Sequence, residues 1–369
     1  MYCSIFVVST LFAWLSQCCR NIRLKRFFFL NSFLVAWFFV SFTKSGVDYK
    51  NYIDIIRMIN WNNYDSFLSL ESGFNILILI IKFITGENDN LTIFFIKTIS
   101  IAIAYLTIYY MRNHIIVYYS VLAYLLLLYL PSFYLIPMVL SVSLTLAAMA
   151  IYLRCNNIYI SLGILILAAQ FHNSCYLIIP VFLWAVKVNW LGLYSKLYRF
   201  TSILLFLVSI FFSTSIYSIV QSNISGFHYN NYASNAFSGS GLMLGVLYIP
   251  LCYIALKIFS KEKDNVNNVN NIIYTYILAS LTFKILSYSF LVIERMELMI
   301  SVIYIIVIPY ILRKFCSSTN DAFSSMKVKV SKLNILFVFY LLFRGALVYI
   351  ERVTVASGLA AYEFFNPFF

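Results

Sequence analysis

The feature that most constrains this chain is a series of long apolar runs, separated by short polar stretches, that continues along almost its whole length. A helix needs about 20 mainly apolar residues to cross the hydrocarbon core of a bilayer. We predict spans at 2–19, 27–43, 91–111, 115–131, 137–153, 158–171, 174–188, 200–220, 241–259, 272–292, 297–312 and 333–350. The sequence therefore predicts an all-α, polytopic integral membrane protein with about twelve spanning helices.

The composition excludes a separate soluble domain. Hydrophobic residues make up 62% of the chain and charged residues 11%, whereas a soluble domain carries about a quarter charged residues. The formal net charge of +13 comes from cations in short loops between apolar runs. That distribution is typical of topology determinants rather than of nucleic-acid binding. We therefore expect the lipid bilayer as a partner and no nucleic acid, with residues 1–369 forming one transmembrane domain.

The basic loops set the predicted topology, because such loops lie preferentially in the cytoplasm. They are Arg20–Arg26, Arg112–His114, Arg154–Asn157, Lys187–Arg199, Lys257–Lys263 and Arg313–Lys332. All six are cytoplasmic only if the apolar piece 73–84 does not cross. At roughly 18 Å it is too short for a core of about 30 Å, so we predict a re-entrant or interfacial segment. Both termini then lie outside, and the first 18 residues, which lack a basic n-region, form a retained helix.

This topology brings most of the unusual polar residues to the outer face. They are Asp48, Arg57, Glu71, Gln170, His172, Asn173, His228, Glu294, Arg295, Glu297, Glu351, Arg352 and Glu363. Polar groups at membrane depth persist only where protein buries them or where they line a wet cavity. The sequence therefore predicts a polar cavity that opens to the outside, flanked by outer loops at 44–90 and 221–240.

The outer loop 44–90 contains an amphipathic pattern. Apolar residues at helical spacing are Tyr52, Ile55, Ile56 and Ile59, and Lys50, Asp54 and Arg57 lie on the other side. Such a pattern predicts a helix on the membrane surface, followed by Glu71 at the mouth of the short apolar piece. Solvated charges on a surface helix are the alternative interpretation of these residues. The loop 222–241 is rich in Ser, Asn, Gly and Tyr, which suits sugars but also describes an ordinary loop.

Two further clusters are candidates for chemistry. The stretch "AAQFHNS" places Gln170, His172 and Asn173 at the apex of a predicted hairpin, where His172 is either a structural residue or a proton acceptor. The stretch "LVIERMELMI" places Arg295 between Glu294 and Glu297, either as a solvated turn or as a fork of donors for phosphate oxygens. We find no HExxH or HxxxH motif, and the seven cysteines show no metal spacing. We therefore predict no metal and no cofactor.

Three cations fall inside predicted spans, where they are costly and normally face protein or a cavity. Arg344 lies in the outer half of its helix and is a candidate to assist Arg295 in binding a diphosphate. Lys97 and Lys284 lie deeper, and for them snorkelling or pairing is the alternative explanation.

These residues carry a resemblance to a known family. The stretch "VDYKNYI…LESGFNILILIIKFI" (Asp48, Tyr49, Tyr52, Glu71, Gly73, Phe74, Leu77), then "AQFHNSCYLIIP", then "ERMELMISVIYIIVIP" with Arg295 and Pro309, resembles the EpsG-type bacterial polysaccharide polymerases. These are similar to O-antigen polymerases of the Wzy class. One departure is the middle helix, "IPMVLSVSLTLAAMA", which lacks the Arg that the family often has there. Anion binding is therefore not expected at that helix of this chain, and Arg344 or Arg352 is the expected substitute.

The resemblance implies a GT-C-like membrane glycosyltransferase that polymerises undecaprenyl-diphosphate-linked oligosaccharide units, such as those of O-antigen, at the periplasmic face of the bacterial inner membrane. It implies His172, Asp48 and Glu71 as candidate bases and Arg295, Arg344 and Arg352 as diphosphate ligands. Glu294 and Asn173 are candidate positioning residues. A chain-length regulator protein is a candidate partner. The alternative is a flippase for the same lipid-linked unit, although no internal repeat of the transporter kind is evident.

Overall fold

The structure, a computed structural model, describes residues 1–46, 48–61, 71–187, 298–300 and 302–317, together with scattered positions between 272 and 367. Every regular element in these ranges is helical, and one isolated β-bridge pairs Thr43 with Phe364. The predicted all-α fold is thus confirmed for the described part of the chain.

Ten α-helices carry the fold within the described ranges. They are α1 (Tyr2–Cys18), α2 (Ile22–Ser41), α3 (Tyr49–Met58), α4 (Ser72–Thr85), α5 (Asp89–Met111), α6 (Val117–Tyr124), α7 (Ile136–Cys155), α8 (Ile158–Phe171), α9 (Ile178–Lys187) and α10 (Ile308–Ser317). Leu125–Tyr129 and Ile303–Val307 are π-helical turns that adjoin α6 and α10. Pro131–Phe133 and Asn173–Leu177 are 3₁₀-helices.

Three described helices, α2, α5 and α7, are long and apolar enough to cross a membrane, and six further apolar helices are shorter. The chain is therefore a membrane protein, whereas the number of about twelve spans stays a prediction. The predicted spans 200–220 and 241–259 lie outside the described residues, as do most of 272–292 and part of 333–350.

The helix boundaries follow from asparagine side chains and one proline. Asn88 and Asn157 precede α5 and α8, and their Oδ1 atoms accept hydrogen bonds from the backbone N–H groups of Leu91 and Ile160 at 3.0 Å. Such caps satisfy donors that a helix start leaves unpaired. The predicted span 115–131 is not one uniform helix, because α6 widens into a π-helical turn and ends before Pro131. Proline lacks the N–H that continued helical bonding needs.

Helix α5 is central to the packing of the described helices, since it packs against α2, α3, α4, α6 and α7. Ala104 and Ile108 on α5 are completely buried. The Tyr105 hydroxyl lies 3.0 Å from Ser9 Oγ of α1, and Ser9 in turn donates to the Ser32 carbonyl of α2 at 2.9 Å. Hydrogen bonds between small polar residues are a common way for helices to associate inside a membrane.

The amphipathic segment forms the predicted helix, α3, and protein covers much of its apolar side. Ile56 and Ile59 are buried and belong to a cluster that includes Phe74 and Ile78 of α4, whereas Arg57 is exposed on the other side. Helix α4 has 14 residues and is about 21 Å long. The membrane-surface and re-entrant placements of these two helices stay predictions.

The chain divides into two compact units. One consists of Met1–Cys175 with Tyr304–Phe369 and contains α1 to α8 and α10; the other is Tyr176–Ile303 and contains α9. All site geometry described below lies in the first unit.

Candidate active site

Two residues that are 101 positions apart in the sequence form a carboxylate–imidazole pair. His172 Nδ1 lies 2.9 Å from Glu71 Oε1, and each side chain is 13% exposed. The same carboxylate oxygen accepts a hydrogen bond from the backbone N–H of Asn173 at 3.0 Å. The pair is therefore largely shielded by protein and keeps a small exposed fraction.

Helix α4 holds Glu71 from one side. Glu71 is the residue before the first turn of α4, with extended backbone angles (φ −66°, ψ 141°), and its carbonyl accepts from the N–H groups of Phe74 and Asn75 at 3.0 and 3.1 Å. The positive end of a helix dipole lies at its N-terminus and favours an ionised carboxylate there. Glu71 is thus placed where its negative charge is stabilised.

Helix α8 holds His172 from the other side. His172 is the residue after the last turn of α8, and its backbone N–H donates to the Ala168 carbonyl at 3.2 Å. That carbonyl also accepts from Ser141 Oγ of α7 at 2.8 Å. The end of α8 is therefore fixed to α7 one turn before the imidazole.

A glycine allows the two helix ends to meet. A Cβ atom added to Gly73, in the first turn of α4, would lie 2.6 Å from the carbonyl oxygen of Gln170 and 2.7 Å from the Gln170 Cβ. Real Cβ atoms essentially never approach this closely. Only glycine permits this contact between α4 and α8, and the contact brings Glu71 within reach of His172.

The hydrogen bonds assign the protonation of the pair. Burial tends to raise the pKa of Glu71, but the hydrogen bond and the charge of His172 and the Asn173 N–H lower it more, so this pKa lies below its ordinary value of 4.5. An ionised carboxylate only accepts hydrogen bonds, so His172 Nδ1 donates. In the neutral ring Nε2 is then an acceptor, and Ser174 Oγ lies 3.3 Å from it.

This arrangement is suited to proton transfer. A carboxylate that holds Nδ1–H fixes the ring orientation and leaves Nε2 as the basic atom, as in hydrolase triads. Positive charge that appears on the ring during proton transfer would be next to the Glu71 carboxylate, whose Oε1 lies 2.9 Å from Nδ1.

The structure describes two of the other predicted site residues, Asp48 and Asn173. Asp48 lies directly before α3, and the hydrogen bonds of the Glu71–His172 pair do not include it. Asn173 takes part through its backbone, since its N–H binds Glu71 while the residue as a whole is exposed. The four predicted residues Glu294, Arg295, Arg344 and Arg352 lie outside the described residues.

Two buried lysines donate hydrogen bonds to backbone carbonyls elsewhere in the described part of the chain. Lys82 donates to the Ile56 and Ile59 carbonyls at 3.1 and 3.0 Å and so satisfies the C-terminal end of α3. Lys97 donates to the Thr43 carbonyl at 3.1 Å, with Nζ 5.2 Å from the centre of the Tyr49 ring. Pairing with protein groups, one of the two alternatives for Lys97, is what the structure shows.

Sequence reasoning missed Lys82, Ser174 and the close approach at Gly73. A lysine within "NILILIIKFI" was the available signal for Lys82, because a buried cation must find acceptors.

No group of three or more His, Cys, Asp or Glu residues that could hold a metal ion occurs within the part of the chain that the structure describes.

The comparison with known families gives one match, to the EpsG family over residues 26–364, nearly the whole chain. The chain belongs to the EpsG family. No curated protein and no solved structure matches it significantly. The family is associated with glycosyltransferase-like polymerases and suggests a role in polysaccharide biosynthesis. In this EpsG-family protein, the family match includes both Glu71 and His172.

Proposed function

We propose that this protein joins oligosaccharide repeat units carried on a polyprenyl diphosphate such as undecaprenyl diphosphate, making a surface polysaccharide such as O-antigen. The growing chain leaves its lipid diphosphate and is transferred to a sugar hydroxyl of a new lipid-linked unit. The observation that carries the proposal is the Glu71–His172 pair in a membrane protein of a polymerase-associated family. No nucleotide-binding loop is needed, because the sugar arrives on a lipid diphosphate.

The pair assigns different roles to the two candidate bases. Glu71 Oε1 already accepts two hydrogen bonds and has a lowered pKa, so it is a poor proton acceptor and a good orienting group. His172 is therefore the base, acting through Nε2. Asp48 stays a predicted base only if the acceptor sugar reaches the start of α3.

Helix length supports a recessed site. Arg112 and Arg154 lie at the ends of α5 and α7, and Arg154 donates to the Tyr110 carbonyl at 2.9 Å, so both cations share one end of the bundle. The positive-inside rule predicts that this end lies in the cytoplasm. With α8 starting at the cytoplasmic edge of the core, its 14 residues rise about 21 Å, so we expect His172 about 9 Å below the outer edge of a core of about 30 Å.

The transfer needs a base and a stabilised leaving group. A positioned base that takes the acceptor proton contributes roughly 10²- to 10⁴-fold in rate. Negative charge builds on the departing diphosphate, and cations aimed at it lower the barrier. We assign this task to Arg295, with Arg344 or Arg352 assisting and Glu294 holding the Arg295 guanidinium. Arg295→Ala should abolish polymerisation without loss of insertion.

The remaining expectations form part of the same proposal. They are about twelve spanning helices in a GT-C-like arrangement, an inner-membrane location with the site toward the periplasm, and a chain-length regulator protein as partner. Cysteine accessibility to a membrane-impermeant thiol reagent measures the orientation. A residue next to His172 that is labelled only from the cytoplasmic side would contradict it.

The test of the proposal is polymer formation from purified lipid-diphosphate-linked repeat units by the protein in proteoliposomes. His172→Ala and His172→Gln should both reduce the rate at least about 100-fold, because Gln keeps a hydrogen bond but cannot take a proton. Glu71→Gln should also reduce it strongly, since the amide no longer fixes the ring tautomer. Full polymerisation by a normally inserted His172→Gln protein would contradict the proposal.

The length of the glycan on the cell surface distinguishes the polymerase from the flippase alternative. Loss of a polymerase leaves single repeat units on the cell surface, whereas loss of a flippase leaves almost none. A His172→Gln strain should therefore show surface glycan one unit long. An empty surface would favour transport over polymerisation.

A further inference from the structure

Ser174 is the third member of the arrangement around His172. Its Oγ lies 3.3 Å from His172 Nε2, and the residue is half-buried. In the neutral ring with Nδ1 donating to Glu71, Nε2 carries the lone pair and accepts from the Ser174 hydroxyl. The Ser174 hydroxyl therefore contacts Nε2, the only ring atom through which His172 can act as a base.

The local backbone fixes this contact. His172 is extended (φ −158°, ψ 119°), and the chain then enters the 3₁₀-helix Asn173–Leu177, with the Cys175 N–H donating to the His172 carbonyl at 2.9 Å. This tight turn brings Ser174 Oγ back to within 3.3 Å of His172 Nε2. The Glu71 bonds to His172 and Asn173 hold the beginning of the same turn, so the ring and hydroxyl are placed together.

The geometry points to Ser174 as a proton relay between the acceptor sugar hydroxyl and His172. This role deepens the proposed function and rests on it, because it assumes that His172 is the base. The acceptor proton passes to Ser174 Oγ while the Ser174 proton passes to His172 Nε2. The acceptor oxygen forms its bond to the anomeric carbon, and the bond from that carbon to the diphosphate oxygen breaks with its electron pair leaving on the diphosphate.

The relay removes a steric requirement from the reaction. With direct transfer, a sugar hydroxyl would have to displace Ser174 and approach Nε2 within about 3 Å in a site that is 13% exposed at the ring. With the relay, the sugar has only to reach a small hydroxyl, which accepts a proton while it donates its own to Nε2. After transfer the imidazolium returns its proton to solvent and the serine hydroxyl is already restored.

Two isosteric variants test the relay in the proteoliposome polymerisation assay. Ser174→Thr keeps a hydroxyl, whereas Ser174→Val has nearly the same shape without one. We expect Thr to retain most of the activity and Val to lose at least about 10-fold in kcat with little change in KM. Ser161→Ala is the matched control, because Ser161 Oγ on α8 bonds only the Asn157 carbonyl, at 2.9 Å.

Rates in mixtures of light and heavy water give a second, independent result. A relay moves two protons in the transition state, so a plot of the reaction rate against the deuterium fraction of the solvent should be curved. In Ser174→Ala the same plot should be linear. Equal kcat for the Thr and Val variants, or a linear dependence in the wild type, would overturn the relay. If His172→Gln is inactive in that case, only the relay fails; if His172→Gln is fully active, the proposed function fails as well.

Discussion

Substituting Gly73 with alanine is the most direct perturbation of the site, because no chemical group of the site is removed. The new Cβ would lie 2.6 Å from the Gln170 carbonyl oxygen, and ordinary contacts begin at 3.4 Å. The N-terminal end of α4 must therefore retreat by about 0.8 Å. If Glu71 moves with it, the 2.9 Å bond to His172 lengthens to about 3.7 Å, beyond hydrogen-bond range.

Two consequences are expected for Gly73→Ala. Overpacking against backbone atoms should destabilise the protein by about 1–3 kcal/mol, although alanine is the better helix former by about 1 kcal/mol. A misplacement of this size near reacting groups costs up to about 100-fold in rate. The measurements are thermal unfolding in detergent and polymer formation in proteoliposomes that contain equal amounts of inserted protein.

Gly163 provides the matched control, because a Cβ added there meets no atom within 4 Å. Gly163→Ala should leave the activity unchanged and the stability equal or slightly higher. In a His172→Gln background, Gly73→Ala should cause little further loss of activity, since the pair is already broken. Wild-type activity of Gly73→Ala, or an equal loss with Gly163→Ala, would refute the link between helix approach and the pair.

Three further predictions concern the surroundings of the site. Lys82→Met removes the donor to the Ile56 and Ile59 carbonyls at the C-terminal end of α3 and should lower stability by about 2 kcal/mol. Exposed Lys50→Met should change it by less than about 0.5 kcal/mol in thermal unfolding. Because the pKa of Glu71 is lowered, its contribution to stability is complete above about pH 4.5 and is lost as the pH falls through the lowered pKa. The wild-type melting temperature should therefore fall more steeply below pH 4.5 than that of Glu71→Gln, and parallel curves would contradict the pairing. Ser141→Ala removes the bond to the Ala168 carbonyl and should cost about 1 kcal/mol in denaturant unfolding.

The sequence predicted most of the helices because their signals are local. Runs of apolar residues indicated α1, α2, α5, α7 and α8 within a few residues, and the spacing of Ile56 and Ile59 indicated α3. The widened end of α6 was not predictable in this way. A π-helical turn depends on how Leu125–Tyr129 packs against neighbours, including the bond from the Tyr129 hydroxyl to the Ala36 carbonyl at 3.0 Å.

The candidate site was predictable as a set of polar residues on one face, but not as a geometry. Charge distribution placed Glu71 and His172 on the same side of the membrane, and the structure brings them into contact. Their pairing depends on Gly73 meeting Gln170 across two helices, and no local pattern encodes such a contact. Sequence reasoning did not single out Ser174, because only the turn after His172 brings its hydroxyl to within 3.3 Å of Nε2.

The distance of 101 residues between Glu71 and His172 along the chain has a consequence for biosynthesis. Ribosomes add about 5–20 residues per second, so for roughly 5–20 s the nascent protein contains Glu71 without its partner. During that time α4 has no α8 to pack against at Gly73. The site therefore assembles only when α8 enters beside α4, and a nascent chain cannot act on a lipid-linked sugar before its seventh and eighth helices are in place.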